Sequence, residues 1–287
     1  MDPQIKPLAG NLSLARLIDA ALEEDIGHGD ITTDSLITPD ATGYGKIVAK
    51  QDLVIAGLSI ALMVFTRLDP AVILKSDFKD GQFVTNGATI LTVEGTMAGL
   101  LTAERTALNF LQRLSGIATK TRALVNQLKN SETTLVDTRK TTPGLRVLEK
   151  YAVRMGGAGN HRMGLYDGVL IKDNHIAACG GIKNAVAAAR LGVSHLVKIE
   201  VEVSDFNQLR QALEAEADII MLDNMGPEKI NKAVALVDGR AKIEVSGNIT
   251  ADNIAQVAKS GVDLISVGAL THSAVAVDLS MKIETAS

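Results

Sequence analysis

The sequence predicts an α/β protein whose larger part is an open, incomplete α/β barrel, preceded by a mixed α+β region. Three observations predict it. From about Thr133 onward, short β-branched runs alternate with amphipathic helical segments, the pattern of successive βα units and a parallel sheet. The strand ends Glu202, Asp223, Ser246 and Gly268 follow one another at about 22 residues, a regular unit length. Each strand also ends in polar or glycine residues that packing does not call for, as at a barrel mouth, where strand C-termini converge.

The elements follow in chain order. A helix is predicted near Ser13 to Glu24, with Leu14, Leu17, Ile18 and Leu22 at helical spacing. Strand-like segments come next at Lys46 to Lys50 and Ala71 to Phe78, and Asn86-Gly87 reads as a hairpin-type turn before Ala88 to Val93. A long helix starts near Met97. Its apolar stripe is Leu100, Ala103, Ala107, Leu111 and Leu114, with Arg105, Asn109 and Gln112 on the opposite face. The barrel strands are Thr134 to Asp137, Gly168 to Lys172, His195 to Val203, Asp218 to Asp223, Lys242 to Ser246 and Asp263 to Gly268, with a short further one near Gly157 to Asn160. Ser204 to Ala215 and Thr250 to Ser260 are among the intervening helices.

Composition narrows the class of function. The 287 residues carry 29 Lys+Arg against 33 Asp+Glu, a net charge of −4, with 46% hydrophobic and 22% charged residues. That is enough apolar material for one large domain or two smaller ones, and it excludes disorder. The mildly acidic chain, with three Tyr and five Phe, lacks the basic field and stacking platforms of a nucleic-acid binder. The uncharged run Leu53 to Thr66 is too short to span a bilayer. Met1-Asp2-Pro3-Gln4 lacks the pattern of a signal peptide, and Cys179 is the only cysteine. The expectation is a cytoplasmic protein without membrane or nucleic-acid partners.

The strand ends supply the candidate site: Asp137-Thr138-Arg139-Lys140, Lys172-Asp173-Asn174-His175, Glu202, Asp223-Asn224, Ser246-Gly247-Asn248 and Gly268. In the third barrel strand Lys198, Glu200 and Glu202 alternate with Val197, Ile199, Val201 and Val203. The apolar set then meets the helices and the charged set faces the barrel axis, unless this is an edge strand with a solvated face. The turns at Ser246-Gly247-Asn248 and Gly268-Ala269 offer backbone N–H groups to a phosphate, although a glycine after a strand is more often a plain βα turn. Arg105, Arg139, Lys140, Arg162 with His161, and Lys172 form a cation set suited to a ligand with several anionic groups. Glu202 and Asp223 suit Mg²⁺, which binds through one or two carboxylates plus phosphate oxygens. Cys179 reads as a plain buried thiol, His195 as a packing residue at a strand start, His28 as a turn or contact residue and His272 as a phosphate contact.

The blocks Asp137-Thr138-Arg139-Lys140-Thr141-Thr142-Pro143-Gly144-Leu145-Arg146 and Gly156-Gly157-Ala158-Gly159-Asn160-His161-Arg162-Met163-Gly164-Leu165 closely resemble those of the quinolinate phosphoribosyltransferase family, the carboxylating nicotinate-nucleotide pyrophosphorylases. The resemblance includes Leu170 to His175, Met221 to Asn224, Glu244 to Asn248 and Ile265 to Leu270, and earlier Glu24 to Thr33 and Ala103 to Asn109. It implies a type II phosphoribosyltransferase fold: an N-terminal α/β sandwich over residues 1–116, an open seven-stranded α/β barrel over 117–271, and a tail, 272–287, returning to the first domain. The implied reaction joins quinolinate to 5-phosphoribosyl 1-pyrophosphate with loss of CO₂, gives nicotinate mononucleotide and pyrophosphate, requires Mg²⁺ and belongs to NAD biosynthesis.

Carried over by that resemblance, the quinolinate pocket maps onto Thr138, Arg139, His161, Arg162 and Lys172, with Arg105 donated across a homodimer interface. The phosphoribosyl pyrophosphate site maps onto Lys140, Glu202, Asp223, Ser246, Gly247, Asn248, Val267, Gly268, Ala269 and His272. Lys140, Glu202 and Asp223 are the implied catalytic groups, and Glu202 and Asp223 the implied Mg²⁺ ligands, directly or through water. Assembly of dimers into hexamers is left open. One rival is a relative of the same fold acting on another aromatic acid, such as the one associated with molybdate transport genes. The Asn160-His161-Arg162 and Lys172 constellation argues against it, because a second carboxylate needs that many cations. The other rival is a non-catalytic phosphosugar-binding protein, against which Glu202 and Asp223 beside Lys140 argue.

Overall fold

The computed structural model describes residues 12–128 and 131–285, so the reading of Met1-Asp2-Pro3-Gln4 lies outside the described residues. The chain divides into two compact units, Met1–Thr119 with Ala274–Ser287, and Lys120–Ser273.

In the first unit α1 (Leu12–Ile26) buries Leu14, Ile18 and Leu22, one stripe at a four-residue interval. Asp30 caps α2 (Ile31–Leu36): its carboxylate accepts from Thr33 N at 3.0 Å and from the Thr33 and Thr102 hydroxyls. Those bonds, Thr33's first, hold the Asp30 carboxyl below the usual carboxylate range. There follow β1 (Thr42–Ala49), β2 (Leu53–Val54), α3 (Leu58–Leu68), β3 (Ile73–Lys75), β4 (Phe83–Val84), β5 (Thr89–Thr96) and α4 (Met97–Gln127), whose last residues, from Lys120, belong to the second unit. The apolar run from Leu53 is thus a short strand and a helix whose Ile60, Ala61, Val64 and Phe65 are core.

The main sheet of this unit is antiparallel, in the order last strand (Leu279–Thr285), β1, β5, β3. The Asn86-Gly87 turn is not a hairpin, contrary to its sequence pattern. It joins β4, which pairs with β2, to β5, which pairs with β1. Gly87 N donates to Ala49 O at 2.9 Å and Asp52 accepts from Asn86 N at 2.8 Å, so the turn is held by groups outside both strands it connects. On α4 the predicted stripe of Leu100, Ala103, Ala107, Leu111 and Leu114 is buried, while Arg105 and Asn109 are exposed. Gln112 departs from the expectation. It is half-buried, and its Nε2 donates to Leu279 O at 3.1 Å, tying the last strand to the helix.

The second unit contains β6 (Thr134–Val136), α5 (Arg146–Met155), β7 (Val169–Ile171), α6 (Asp173–Ala178), α7 (Ile182–Gly192), β8 (Ile199–Val203), α8 (Phe206–Glu214), β9 (Ile219–Asp223), α9 (Pro227–Val237), β10 (Lys242–Ser246), α10 (Ile254–Ala258), β11 (Leu264–Ser266) and α11 (Ala269–His272); the last strand of the chain is β12. The six strands pair in parallel in the order β6-β11-β10-β9-β8-β7. Next to β6, Gly159 makes one isolated parallel bridge to Val136, so the seventh strand position is held by a single bridge. The edges β6 and β7 are not paired with each other, and the barrel is open there. The strands bury residues on both faces, as parallel strands covered by helices do.

Three expectations change here. Strand β8 begins at Ile199, leaving His195 in an exposed turn rather than in packing. Cys179 is exposed, because it caps the C-terminus of α6 before Gly180-Gly181 rather than entering the core. Lys198 does not face the barrel axis: it pairs with Asp218 at 2.9 Å, is 75% exposed, and lines a separate recess with Arg240 and Lys242. Among the described residues no helix is long and apolar enough to cross a membrane.

Candidate active site

The C-terminal ends of the barrel strands surround a cavity of about 670 Å³. After β6 it is lined by Thr138, Arg139 and Lys140, after α5 by His161 and Arg162, and after β7 by Lys172. Glu202 enters from β8, Asp223 from β9, and Ser246, Gly247 and Asn248 from the end of β10. Val267, Gly268, Ala269 and His272 complete it after β11. One cavity thus collects the predicted site residues of this unit. Arg105 belongs to the first unit and is not among the lining residues.

Beneath the cavity a buried ion pair sets its frame. The ammonium of Lys150 and the carboxylate of Asp137, both fully buried, pair directly. Asp137 also accepts from Asn160 Nδ2 at 2.7 Å and from His161 N at 2.9 Å, and Lys150 donates to His161 O at 3.0 Å. Burial pushes the Asp137 carboxyl up and the Lys150 ammonium down, and each partner's charge opposes that shift. The pair therefore fixes the backbone that presents His161 and Arg162.

Two arginines of the cavity lining each have one nitrogen without a protein acceptor. Arg139 Nε and Arg162 Nε are both buried without a hydrogen-bond partner, although Arg162 Nη1 donates to Gly168 O at 2.9 Å. Burial first, and then the charge of Arg139, lowers the Arg162 pKa. Two neighbouring guanidinium groups whose hydrogen-bonding capacity the protein leaves partly unused suit an anionic ligand. Lys172 instead pairs with Glu202, so these two predicted residues hold each other.

His161 is committed on both nitrogens. Its Nδ1 accepts from Arg162 N at 2.8 Å, which leaves the ring proton on Nε2, 3.0 Å from Glu200 and 3.6 Å from Glu244. Burial alone would lower its pKa, but the hydrogen bond to Glu200 and the charges of Glu244 and Glu200 carry it above the usual value. Glu244 is pushed up to about 7 by burial, then by the charge of Glu200, with His161 pulling the other way. The ligand atoms of these three residues lie within 4.8 Å of one another. Glu244, which lines the cavity, and Glu200, which does not, were not singled out as site residues from sequence. The alternation of Lys242, Glu244 and Ser246 against Ile243 and Val245 in β10 carries the same signal as that in β8 and points to Glu244.

The predicted phosphate turns are built as cradles. Asn224, Gly247 and Asn248 all have positive φ, and Asn248 Nδ2 donates to Asn224 Oδ1 at 3.0 Å, which joins the ends of β9 and β10. At Gly247, with φ of +90°, a Cβ would lie 2.1 Å from Asn224 Oδ1. Gly247→Ala is therefore expected to raise KM for the phosphate-bearing substrate at least 10-fold and, through about 1–3 kcal/mol of backbone strain, to lower Tm by several degrees; substrate-saturation curves and a melting scan check it. At Gly268 a Cβ would meet Lys140 Cδ at 3.0 Å and the His272 ring at 3.3 Å, so glycine lets these two side chains close on the turn. Thr271 Oγ1 donates to Lys140 O at 2.8 Å and locks that arrangement.

A barrel mouth that sets a cluster of arginines and lysines beside glycine turns and acidic strand ends fits a phosphoribosyltransferase-type barrel. Comparison with known proteins carries this further: the chain belongs to the quinolinate phosphoribosyl transferase family, whose N-terminal domain matches residues 30–115 and C-terminal domain residues 117–282. It is 46% identical to a probable nicotinate-nucleotide pyrophosphorylase (carboxylating) of Bacillus subtilis, over 95% of this chain and 94% of that one. A relative of the same description from Methanocaldococcus jannaschii is 45% identical over 93% and 96% of the two chains. Among solved structures, NadC from Streptococcus pyogenes superposes with a TM-score of 0.92 at 43% identity, over 96% and 97% of the two chains.

Proposed function

We propose that this chain transfers the 5-phosphoribosyl group from 5-phosphoribosyl 1-pyrophosphate to quinolinate with decarboxylation, a step of de novo NAD biosynthesis in the cytoplasm. Family membership supports the reaction, and relatives are named quinolinate phosphoribosyltransferase (decarboxylating). The single observation that carries the acceptor is the pair of buried, unpartnered guanidinium Nε atoms at Arg139 and Arg162. Quinolinate presents two adjacent carboxylates, and one guanidinium fork for each is the geometry such an acid asks for.

In this reading Arg139, Arg162 and Lys172 hold both carboxylates and aim the ring nitrogen at the ribose C1, turning a bimolecular attack into a positioned one. Lys172 then leaves Glu202 for the substrate, and Glu202 with Asp223 faces the positive charge that develops on the ribose. Lys140 and the turns at Gly247 and Gly268 take the departing pyrophosphate. Once the nitrogen is quaternary it serves as the electron sink for loss of the neighbouring carboxylate as CO₂. No protein nucleophile takes part.

Glu202 and Asp223 offer hard carboxylate oxygens beside the phosphate turns, a donor set that fits Mg²⁺ completed by substrate oxygens. The buried His161, Glu200 and Glu244 group, with its imidazole, suits that ion less well. When bound, Mg²⁺ neutralises charge on the pyrophosphate. Activity is expected to disappear in excess chelator and to return with added Mg²⁺, and an initial-rate titration checks both.

The working unit of the proposal is a homodimer in which Arg105 serves the partner's cavity. Its support is that Arg105 is exposed on α4 and absent from the lining of its own chain's cavity. Arg105→Ala and Lys172→Ala variants, each nearly inactive, are expected to recover up to about a quarter of wild-type activity when mixed and reassembled, the share of intact sites in a statistical mixture. Absence of rescue in verified mixed dimers removes the shared site. The reaction itself is tested by release of CO₂ and pyrophosphate from quinolinate plus 5-phosphoribosyl 1-pyrophosphate, beside nicotinate as acceptor. Quinolinate-dependent release of both products is expected; pyrophosphate with nicotinate alone rejects the dicarboxylate pocket.

A further inference from the structure

Loss of CO₂ leaves an electron pair on the ring carbon beside the quaternary nitrogen, and that carbon must gain a proton to complete the product. We propose that Glu244, a buried acid in the cavity wall, supplies it; the inference rests on the quinolinate reading above.

Glu244 sits on β10 with its side chain 1% exposed, yet it lines the cavity. From β8 it faces Glu200, from the loop after α5 it faces His161, and from β11 the Ser266 hydroxyl, while Met221 is its neighbour on β9. Two carboxylates therefore share one N–H. The His161 Nε2 proton is closer to Glu200, and Oε1 of each glutamate has no hydrogen-bond partner. Two adjacent buried carboxylates cannot both remain ionised on so few donors, so one carries a proton. His161 Nδ1 is a poor home for it, because Arg162 N–H already points there. Glu200 accepts the shorter bond from Nε2. Glu244 is left as the neutral carboxylic acid, and it alone of the pair borders the cavity. Burial and the charge of Glu200 act in the same sense, holding a proton on Glu244 near neutrality.

The alternatives are weaker donors. Lys172 holds a substrate carboxylate in the reading above, and Lys140 lies by the Gly268 turn, where pyrophosphate leaves. The step balances without a co-reactant. As the bond between ring carbon and carboxylate breaks, its electron pair takes the Glu244 proton in the same step, so the C–H bond forms as CO₂ departs and Glu244 is left as a carboxylate that Nε2–H of His161 stabilises. Water restores the proton after product release, so each turnover consumes one proton from solvent.

The test is single-turnover kinetics of Glu244→Gln, following pyrophosphate, CO₂ and nucleotide products separately. Glutamine keeps the shape and a hydrogen-bond donor but has no proton to give. Pyrophosphate release is expected to stay within about 3-fold of wild type while CO₂ release slows by about 100-fold, with the mononucleotide of quinolinate accumulating between them. Retained pyrophosphate release also certifies the fold. Equal slowing of both releases with no intermediate assigns Glu244 a structural role and overturns the proposal, as does unchanged release of both. If the wild type itself releases no pyrophosphate with quinolinate, the functional reading fails, and this inference with it.

Discussion

Arg162→Ala and Arg139→Ala are each expected to lower kcat/KM for quinolinate by about 1000-fold, with KM for 5-phosphoribosyl 1-pyrophosphate changed only a few-fold. A charge-assisted hydrogen bond is worth about 1.5–3 kcal/mol, and a guanidinium fork on a carboxylate makes two. About 4 kcal/mol of lost transition-state stabilisation is about three decades in rate. The structure also says why the two do not substitute for each other. Each has a buried Nε without a protein acceptor, so each site waits for its own oxygen. Lysine is not expected to rescue either position, because a point charge on a flexible stem cannot present the same fork. Initial rates over a quinolinate series check this, and a loss smaller than about 10-fold at both positions would mean that the carboxylates bind elsewhere.

Arg139 was readable in the sequence because it stands at a strand end, where packing has no use for a guanidinium, and Arg162 because it joins the same cation set in an acidic chain. The same logic read Lys140, Glu202, Asp223 and the glycine turns, all of which border one cavity. It failed where the informative relation is between side chains. Alternation in β8 marks Glu200 as inward but cannot say that His161 bridges it to Glu244, because that contact joins residues 39 and 83 positions away from His161 along the chain. Nor could it say that Lys172 and Glu202, assigned to different ligands, hold each other in this structure. Local grammar was less informative in the first unit. Asn86-Gly87 has the chemistry of a hairpin, yet strand partners are chosen by burial across the whole sheet, and β4 and β5 pair with different strands. The apolar stripe of α4 was read correctly because a helix face depends only on residues within the helix.

Lys150→Met is expected to destabilise the barrel unit by about 3–5 kcal/mol, the usual cost of leaving one member of a buried ion pair uncompensated. Both side chains are fully buried, so water cannot replace the lost partner. At about 2–4 °C per kcal/mol for a unit of this size, Tm falls by roughly 10 °C. The loss is expected to depend on pH. Burial already holds the Asp137 carboxyl above its usual value, and the charge and hydrogen bond of Lys150 oppose that rise. Without Lys150 the folded-state pKa rises further above that of the unfolded chain. A group so raised stabilises the fold below its unfolded pKa and loses that contribution as pH climbs toward its folded pKa. The gap between variant and wild type is therefore smallest in acid and widens toward neutrality. Adding Asp137→Asn to Lys150→Met should recover part of the Tm, since the buried charge is gone. Catalysis should not recover with it, because Asp137 and Lys150 together hold His161 N and O, and through them the Arg162 fork. Melting scans across the acid-to-neutral range with parallel rate assays separate the two effects: stability follows the charge, while turnover follows the position of the arginine.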